Sequence, residues 1–184
     1  MNRSASTTAV ATFAAVLAVS APLGAQQQTM VPPASPTIGA SGGLGGGIAL
    51  PIGRLADTHA AGYSLDGLID FSAAEQPFSF RLELIYQRYD VKSSATAGTR
   101  NMNLTSLGGS LLARRPRGAS SAFFLGGIAV YRATDSGTKP GINLGTGLEV
   151  PLTFFVGIAD IRVHYVLTEK NPMVTIPITL GARF

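Results

Sequence analysis

The sequence predicts an all-β fold, a single eight-stranded antiparallel up-and-down barrel that crosses a membrane with its strands. Three observations carry this. Eight segments alternate apolar with polar or small residues, each 9–14 residues long, and a tilted membrane-crossing strand needs about 9–11 residues. Hydrophobic residues make up 46% of the chain and charged residues only 13%, against about 25% charged in ordinary soluble domains. No stretch after residue 36 reaches the roughly 18 consecutive apolar residues that a spanning helix requires. The 22 glycines also argue against a helical bundle, because glycine is a poor helix former.

The segments follow in order. Residues 37–50 place Ile38, Ala40, Leu44, Ile48 and Leu50 in phase, opposite small residues. The glycine run from Gly42 to Gly47 lacks the Lys and Ser/Thr of a phosphate loop; its glycines are expected to permit curvature or bulges. Residues 63–71 set Tyr63, Leu65, Gly67, Ile69 and Phe71 against Ser64, Asp66, Leu68 and Asp70. Residues 78–87 set Phe78, Phe80, Leu82, Leu84 and Tyr86 against Ser79, Arg81, Glu83, Ile85 and Gln87. Segments 102–113 and 121–132 are strand-like without a readable phase. Residues 142–150 alternate Ile142, Leu144, Thr146, Leu148 and Val150 with Asn143, Gly145, Gly147 and Glu149. Residues 155–165 alternate Phe155, Gly157, Ala159, Ile161, Val163 and Tyr165 with Val156, Ile158, Asp160, Arg162 and His164. The last segment, 174–184, keeps strict period two, with Val174, Ile176, Ile178, Leu180, Ala182 and Phe184 on one face and Thr175, Pro177, Thr179, Gly181 and Arg183 on the other. That is the signature of a two-faced strand. Pro177 cannot donate to a ladder, so a bulge or a local gap in pairing is expected there.

The connections alternate in length. Residues 51–62, 91–101, 133–141 and 167–173 form a longer, polar set; 72–77, 114–120 and 151–153 form a shorter one. Short turns at one end and long loops at the other are the outer-membrane pattern. An even strand count puts both termini with the short turns, on the periplasmic side.

Closure removes the unpaired edge groups that an open sheet would leave in lipid. An eight-stranded barrel is just wide enough for side chains to fill it. The polar faces then supply an interior network of Asp66, Asp70, Arg81, Glu83, Glu149, Asp160, Arg162, His164 and Arg183. Buried charges need partners; Arg81 with Glu83 and Asp160 with Arg162 stand two apart on one strand face. The apolar faces would meet lipid, with Tyr63, Phe71, Phe78, Tyr86, Phe155 and Tyr165 near segment ends as interfacial aromatics. The inverted alternative is a soluble periplasmic, lipocalin-like binder with its apolar residues inside. Passive transport of a small or apolar solute is another.

Residues 1–25 read as an export signal: Arg3, an apolar run from Ala9 to Val19, then small residues up to Ala25. Residues 26–36 are Pro-rich without periodicity and read as a disordered lead-in. The barrel domain occupies 37–184. The net charge of +4 has no long basic run, the densest cluster being Arg114, Arg115 and Arg117 at an expected turn. Nucleic acid is therefore not an expected partner. There are no cysteines and two histidines. His59 reads as a solvated loop residue. His164, on the polar face, is followed by Tyr165 and Val166 rather than by a His-x-Ser pair, so no catalytic trio is expected and the chain is read as non-enzymatic. Asp66 and Asp70 could hold a cation, but an arginine partner such as Arg81 is the better reading. No metal or cofactor is expected.

A final strand with Ile176, Ile178, Leu180, Ala182 and Phe184 on one face resembles the terminal strand of bacterial outer-membrane barrels. The whole of residues 37–184 is similar to the small eight-stranded barrels of the OmpA, OmpX and OmpW type and to the generic outer-membrane β-barrel domain. Ala182 is small where an aromatic is common in that family. The resemblance implies a location in the cell outer membrane among its lipids. It also implies insertion by the barrel-assembly machinery, which would read Ile176, Ile178, Leu180 and Phe184, and a structural or surface-interaction role through the outer loops. A monomer is expected. The resemblance is specific for architecture and nearly silent on activity.

Overall fold

The structure is a computed structural model that describes residues 38–73, 76–117, 119–134, 137–169 and 171–184. The expected signal and lead-in lie outside the described residues. Eight strands run β1 (Ile38–Ile52), β2 (Gly62–Ala73), β3 (Phe78–Tyr89), β4 (Met102–Arg117), β5 (Ser120–Ala133), β6 (Gly137–Pro151), β7 (Val156–Val166) and β8 (Met173–Arg183). One short helix, α1 (Arg54–Thr58), sits between β1 and β2. Every neighbour pair is antiparallel, and β1 pairs with β8 to close the barrel.

Each ladder keeps one register from end to end, so the glycine run of β1 carries no bulge. Its glycines serve close approach instead. A Cβ on Gly47 would stand 1.9 Å from the Ile178 carbonyl oxygen, and one on Gly45 would stand 2.7 Å from both Asp66 carboxylate oxygens. Pro177 produces a gap rather than a bulge. The β7–β8 ladder pairs Ile161 with Ile178 and resumes at His164 with Thr175, in the same register. Missing its N–H, the proline interrupts the ladder without shifting it.

Two expected connections shrink. The segment 133–141 is mostly strand, leaving only 134–136 between β5 and β6; Gly137, the first residue of β6, takes φ 67°. The segment 114–120 is also mostly strand, because β4 runs on to Arg117. At the end of the barrel that carries the β5–β6 connection two long loops remain, 53–61 and 90–101. This end is the loop end; the β2–β3, β4–β5 and β6–β7 turns mark the turn end.

Pleating sends alternate residues in and out. On β1, β2, β3, β6, β7 and β8 the outward set is the apolar one: Leu44, Leu144 and Leu180, for example, are 71%, 62% and 70% exposed. β4 and β5 resolve their phase in the structure. β4 turns Leu104, Ser106, Ser110 and Leu112 inward, and β5 turns Phe123, Leu125 and Tyr131 inward, while Leu107, Leu111, Phe124 and Ile128 face out. The inverted, lipocalin-like arrangement is thereby corrected: the charges are inside, and the wall facing outward is apolar. Tyr63 and Tyr86 pack together at the loop end, ring centroids 6.1 Å apart, and Phe71 and Phe80 at the turn end, 6.4 Å apart.

Candidate functional site: the filled lumen

The lumen is where the sequence concentrates its chemistry. Near the turns, Asp70 is the hub. Arg81 grips it with two hydrogen bonds, Nε to Oδ1 at 2.5 Å and Nη2 to Oδ2 at 2.9 Å. Arg114 Nη2 and Arg183 Nη1 reach the same Oδ2 at 2.9 and 2.5 Å. Glu149 takes Arg114 through Nε at 2.9 Å and Nη2 at 3.0 Å, with Arg183 at 3.3 Å. Arg114 also donates to the Ser79 hydroxyl. Forked guanidinium–carboxylate bonds of this kind fix orientation as well as charge. The Arg81 guanidinium lies 5.5 Å from the Phe123 ring centroid, a cation–π contact.

Deeper in, Arg162 holds Asp160 through Nε at 3.1 Å and Nη2 at 2.7 Å and donates to Glu83 through Nη1. Thr179 adds a hydrogen bond to Asp160 at 2.9 Å. Arg81 links the two groups, 3.9 Å from Glu83 and 3.8 Å from Glu149. Asp66 stands apart. It is buried against Gly45, and its Oδ1 has no hydrogen-bond partner among the described residues.

Toward the loops the filling changes. Ala49, Tyr89, Leu104, Tyr131, Ala133 and Val166 form an apolar cluster. Tyr89 donates to Gln87 Oε1 at 2.7 Å, and Thr175 donates to the same oxygen at 3.1 Å. His164 is 1% exposed, its Nδ1 lying 3.2 Å from the Tyr131 hydroxyl and its ring edge-on to the tyrosine. Its Nε2 has no partner among the described residues.

All nine expected interior residues point into the barrel: Asp66, Asp70, Arg81, Glu83, Glu149, Asp160, Arg162 and His164 are buried, and Arg183 is largely so. The charges join one network except for Asp66, which lacks an arginine hydrogen bond; Arg81 takes Asp70 instead. Sequence reasoning missed Arg114, which it placed in a turn. The signal was present, since Arg114 falls in phase with Ser106 and Ser110 on β4.

His59 is a correction. It is 8% exposed rather than solvated. Its Nε2 is 3.1 Å from the Arg100 carbonyl oxygen and its Nδ1 2.8 Å from the Thr58 hydroxyl. With the His59–Val91 bridge and the Lys92 N–H bond to the Thr58 carbonyl at 2.9 Å, it ties the two long loops together. Among the described residues no group of three or more His, Asp or Glu is arranged to hold a metal ion. Of the outward residues on β8, Ile178 and Leu180 are exposed, and Phe184 beyond it donates its N–H to the Gly42 carbonyl at 2.8 Å.

A closed antiparallel eight-stranded barrel with an apolar outer wall and a filled, ion-paired lumen defines the class: a small transmembrane β-barrel. A solved structure agrees on that fold. The crystal structure of Neisserial surface protein A matches with a TM-score of 0.60 at 16% identity, covering 80% of this chain and 97% of that one. The Yersinia pestis outer membrane protein Ail in a phospholipid bilayer nanodisc aligns at 0.49 and 15% identity, covering 79% of this chain and 100% of that one. The N-terminal β-barrel domain of Pseudomonas aeruginosa OprF aligns at 0.47 and 19%, covering 79% and 97%. At these identities the likeness is one of fold. No family model matches the chain, and no curated protein sequence does.

Proposed function

We propose that this chain is an integral outer-membrane protein whose barrel is a sealed, non-enzymatic scaffold that stabilises the envelope or presents its two long loops outside the cell. The observation that carries the reading is the filling of the lumen. Side chains from all sides of the barrel meet at Asp70, Glu149, Glu83 and Asp160, and an apolar cluster follows toward the loops. At the turn end a recess of ≈ 420 Å³ is lined by Ser41, Ser72, Gln76, Arg114, Glu149 and Arg183; the ion pairs of Arg81 with Asp70 and of Arg162 with Glu83 support a barrel sealed to solutes. His164 lies buried against Tyr131, out of a substrate's reach.

The apolar wall supports a location in the outer membrane. Export by residues 1–25, insertion by an assembly machinery that reads Ile176, Ile178, Leu180 and Phe184, and a monomeric state belong to the same proposal. The test is expression with the native N-terminus, fractionation of the envelope, and gels of boiled and unboiled samples. The expected result is an outer-membrane band whose mobility shifts on boiling, because a barrel without edges resists detergent until heated. A soluble periplasmic band without a shift would overturn the reading.

A further inference from the structure

The connection between β6 and β7 does not have the composition of a solvent turn. Residues 152–155 read Leu-Thr-Phe-Phe. Reversals in water favour Gly, Pro, Asn, Asp and Ser, which supply the dihedrals and local hydrogen bonds that a turn needs. Here the Leu152 N–H donates to the Phe155 carbonyl oxygen at 2.8 Å, which fixes the tip. The tip presents Phe154 at 88% and Leu152 at 52% exposure. Phe155 packs against Phe184, ring centroids 6.0 Å apart, and Phe184 is itself exposed. Phe154 is not part of the aromatic set on the strand faces, since it lies beyond the last residue of β6 and before the first of β7.

We propose that this turn is an interfacial foot, with Leu152 and Phe154 inserted at the headgroup–acyl boundary of the leaflet at the turn end. The occupant of this surface is lipid rather than a protein partner, because the patch continues the lipid-facing wall. Leu148 and Val150 on β6, Ile161 on β7 and Leu180 on β8 are exposed on the outer wall beside it. Apolar surface carried beyond the strand ends in this way suits partial insertion at an interface, whereas a solvated turn would leave it to water. The inference rests on the reading of that wall as lipid-facing.

The chain contains no tryptophan, so one introduced indole reports its own surroundings. Three single-tryptophan variants of the full chain are refolded into phosphatidylcholine vesicles with bromine at defined acyl positions: Phe154→Trp, Leu107→Trp on the outer wall, and Thr96→Trp in the loop between β3 and β4. The expected result is that F154W emits to the blue of T96W, is quenched by shallow bromines and is shielded from aqueous iodide, while L107W is quenched by deep bromines. If L107W is quenched by lipid and F154W behaves like T96W, the wall reading stands and the foot is overturned. If L107W also escapes lipid quenching, the lipid-facing wall fails and the foot fails with it.

Discussion

Near the turns, the lumen holds Arg81, Arg114 and Arg183 around Asp70 and Glu149, packed beside an apolar cluster of Leu68, Leu112, Phe123, Leu125 and Ile158; near the loops, it holds Tyr89, Leu104, Tyr131 and Val166 without an ion pair among them. Both fillings close the barrel, but they fail differently. A buried ion network is costly to break at one member, because the charges left behind stay desolvated. An apolar cluster loses contacts and leaves a cavity, and its neighbours can relax partway into it. The charged half therefore enforces which strands meet, while the apolar half mainly excludes water.

Asp70→Ala breaks the comparison most sharply. It takes both carboxylate hydrogen bonds from Arg81, which is fully buried and keeps only the more distant Glu83 and Glu149, and removes a partner from Arg114 and Arg183. The expected loss is about 3–5 kcal/mol, read as a lower urea midpoint for the vesicle-refolded barrel and a band shift at lower temperature. Leu104→Ala, at 2% exposure in the apolar half, is expected to cost about 2–3 kcal/mol, the lower part of the range for buried leucines. If Leu104→Ala costs more than Asp70→Ala, the ranking of the two halves is wrong. Tyr131→Phe removes only the hydroxyl beside His164 and should cost about 1 kcal/mol, in the same urea titration.

The smallest effect lies outside the membrane. The Lys139 ammonium, hydrogen-bonded at 2.9 Å, holds the Glu169 carboxyl below its ordinary range. A carboxyl lowered in the folded state contributes stability above its unfolded pKa and loses it as pH falls through the folded value. Glu169 is fully exposed, so screening leaves little of this. Glu169→Gln should match the parent at neutral pH within the error of the titration, differing only by a shallower loss on the acid side.

The same contrast explains what was legible in the sequence. β3 and β8 were readable because lipid and lumen select opposite residue types, so polarity alternates with the pleat. β5 was not, because Phe123, Leu125 and Tyr131 face in while Phe124, Ile128 and Val130 face out, which erases the period. Arg114 was lost because Arg, Pro and Gly at 114–118 read as a turn, although it continues the inward phase of Ser106 and Ser110. Strand ends at 133–141 were misread because Thr, Lys, Pro and Gly look like loop residues, although the ladder carries them. Partners across the lumen were beyond reading. Glu83 meets Arg162 and Asp70 meets Arg183, contacts that only the closed register brings about; the near pairs Arg162–Asp160 and Arg81–Glu83 were the ones that spacing could suggest.

A lumen sealed by its side chains passes no ions, and single-channel recording checks this. Purified protein, refolded and shown by gel shift to be closed, is added to a planar bilayer in molar potassium chloride. The bilayer is expected to stay silent under sustained voltage. Regular conductance steps that scale with added protein would contradict it and make the chain a pore.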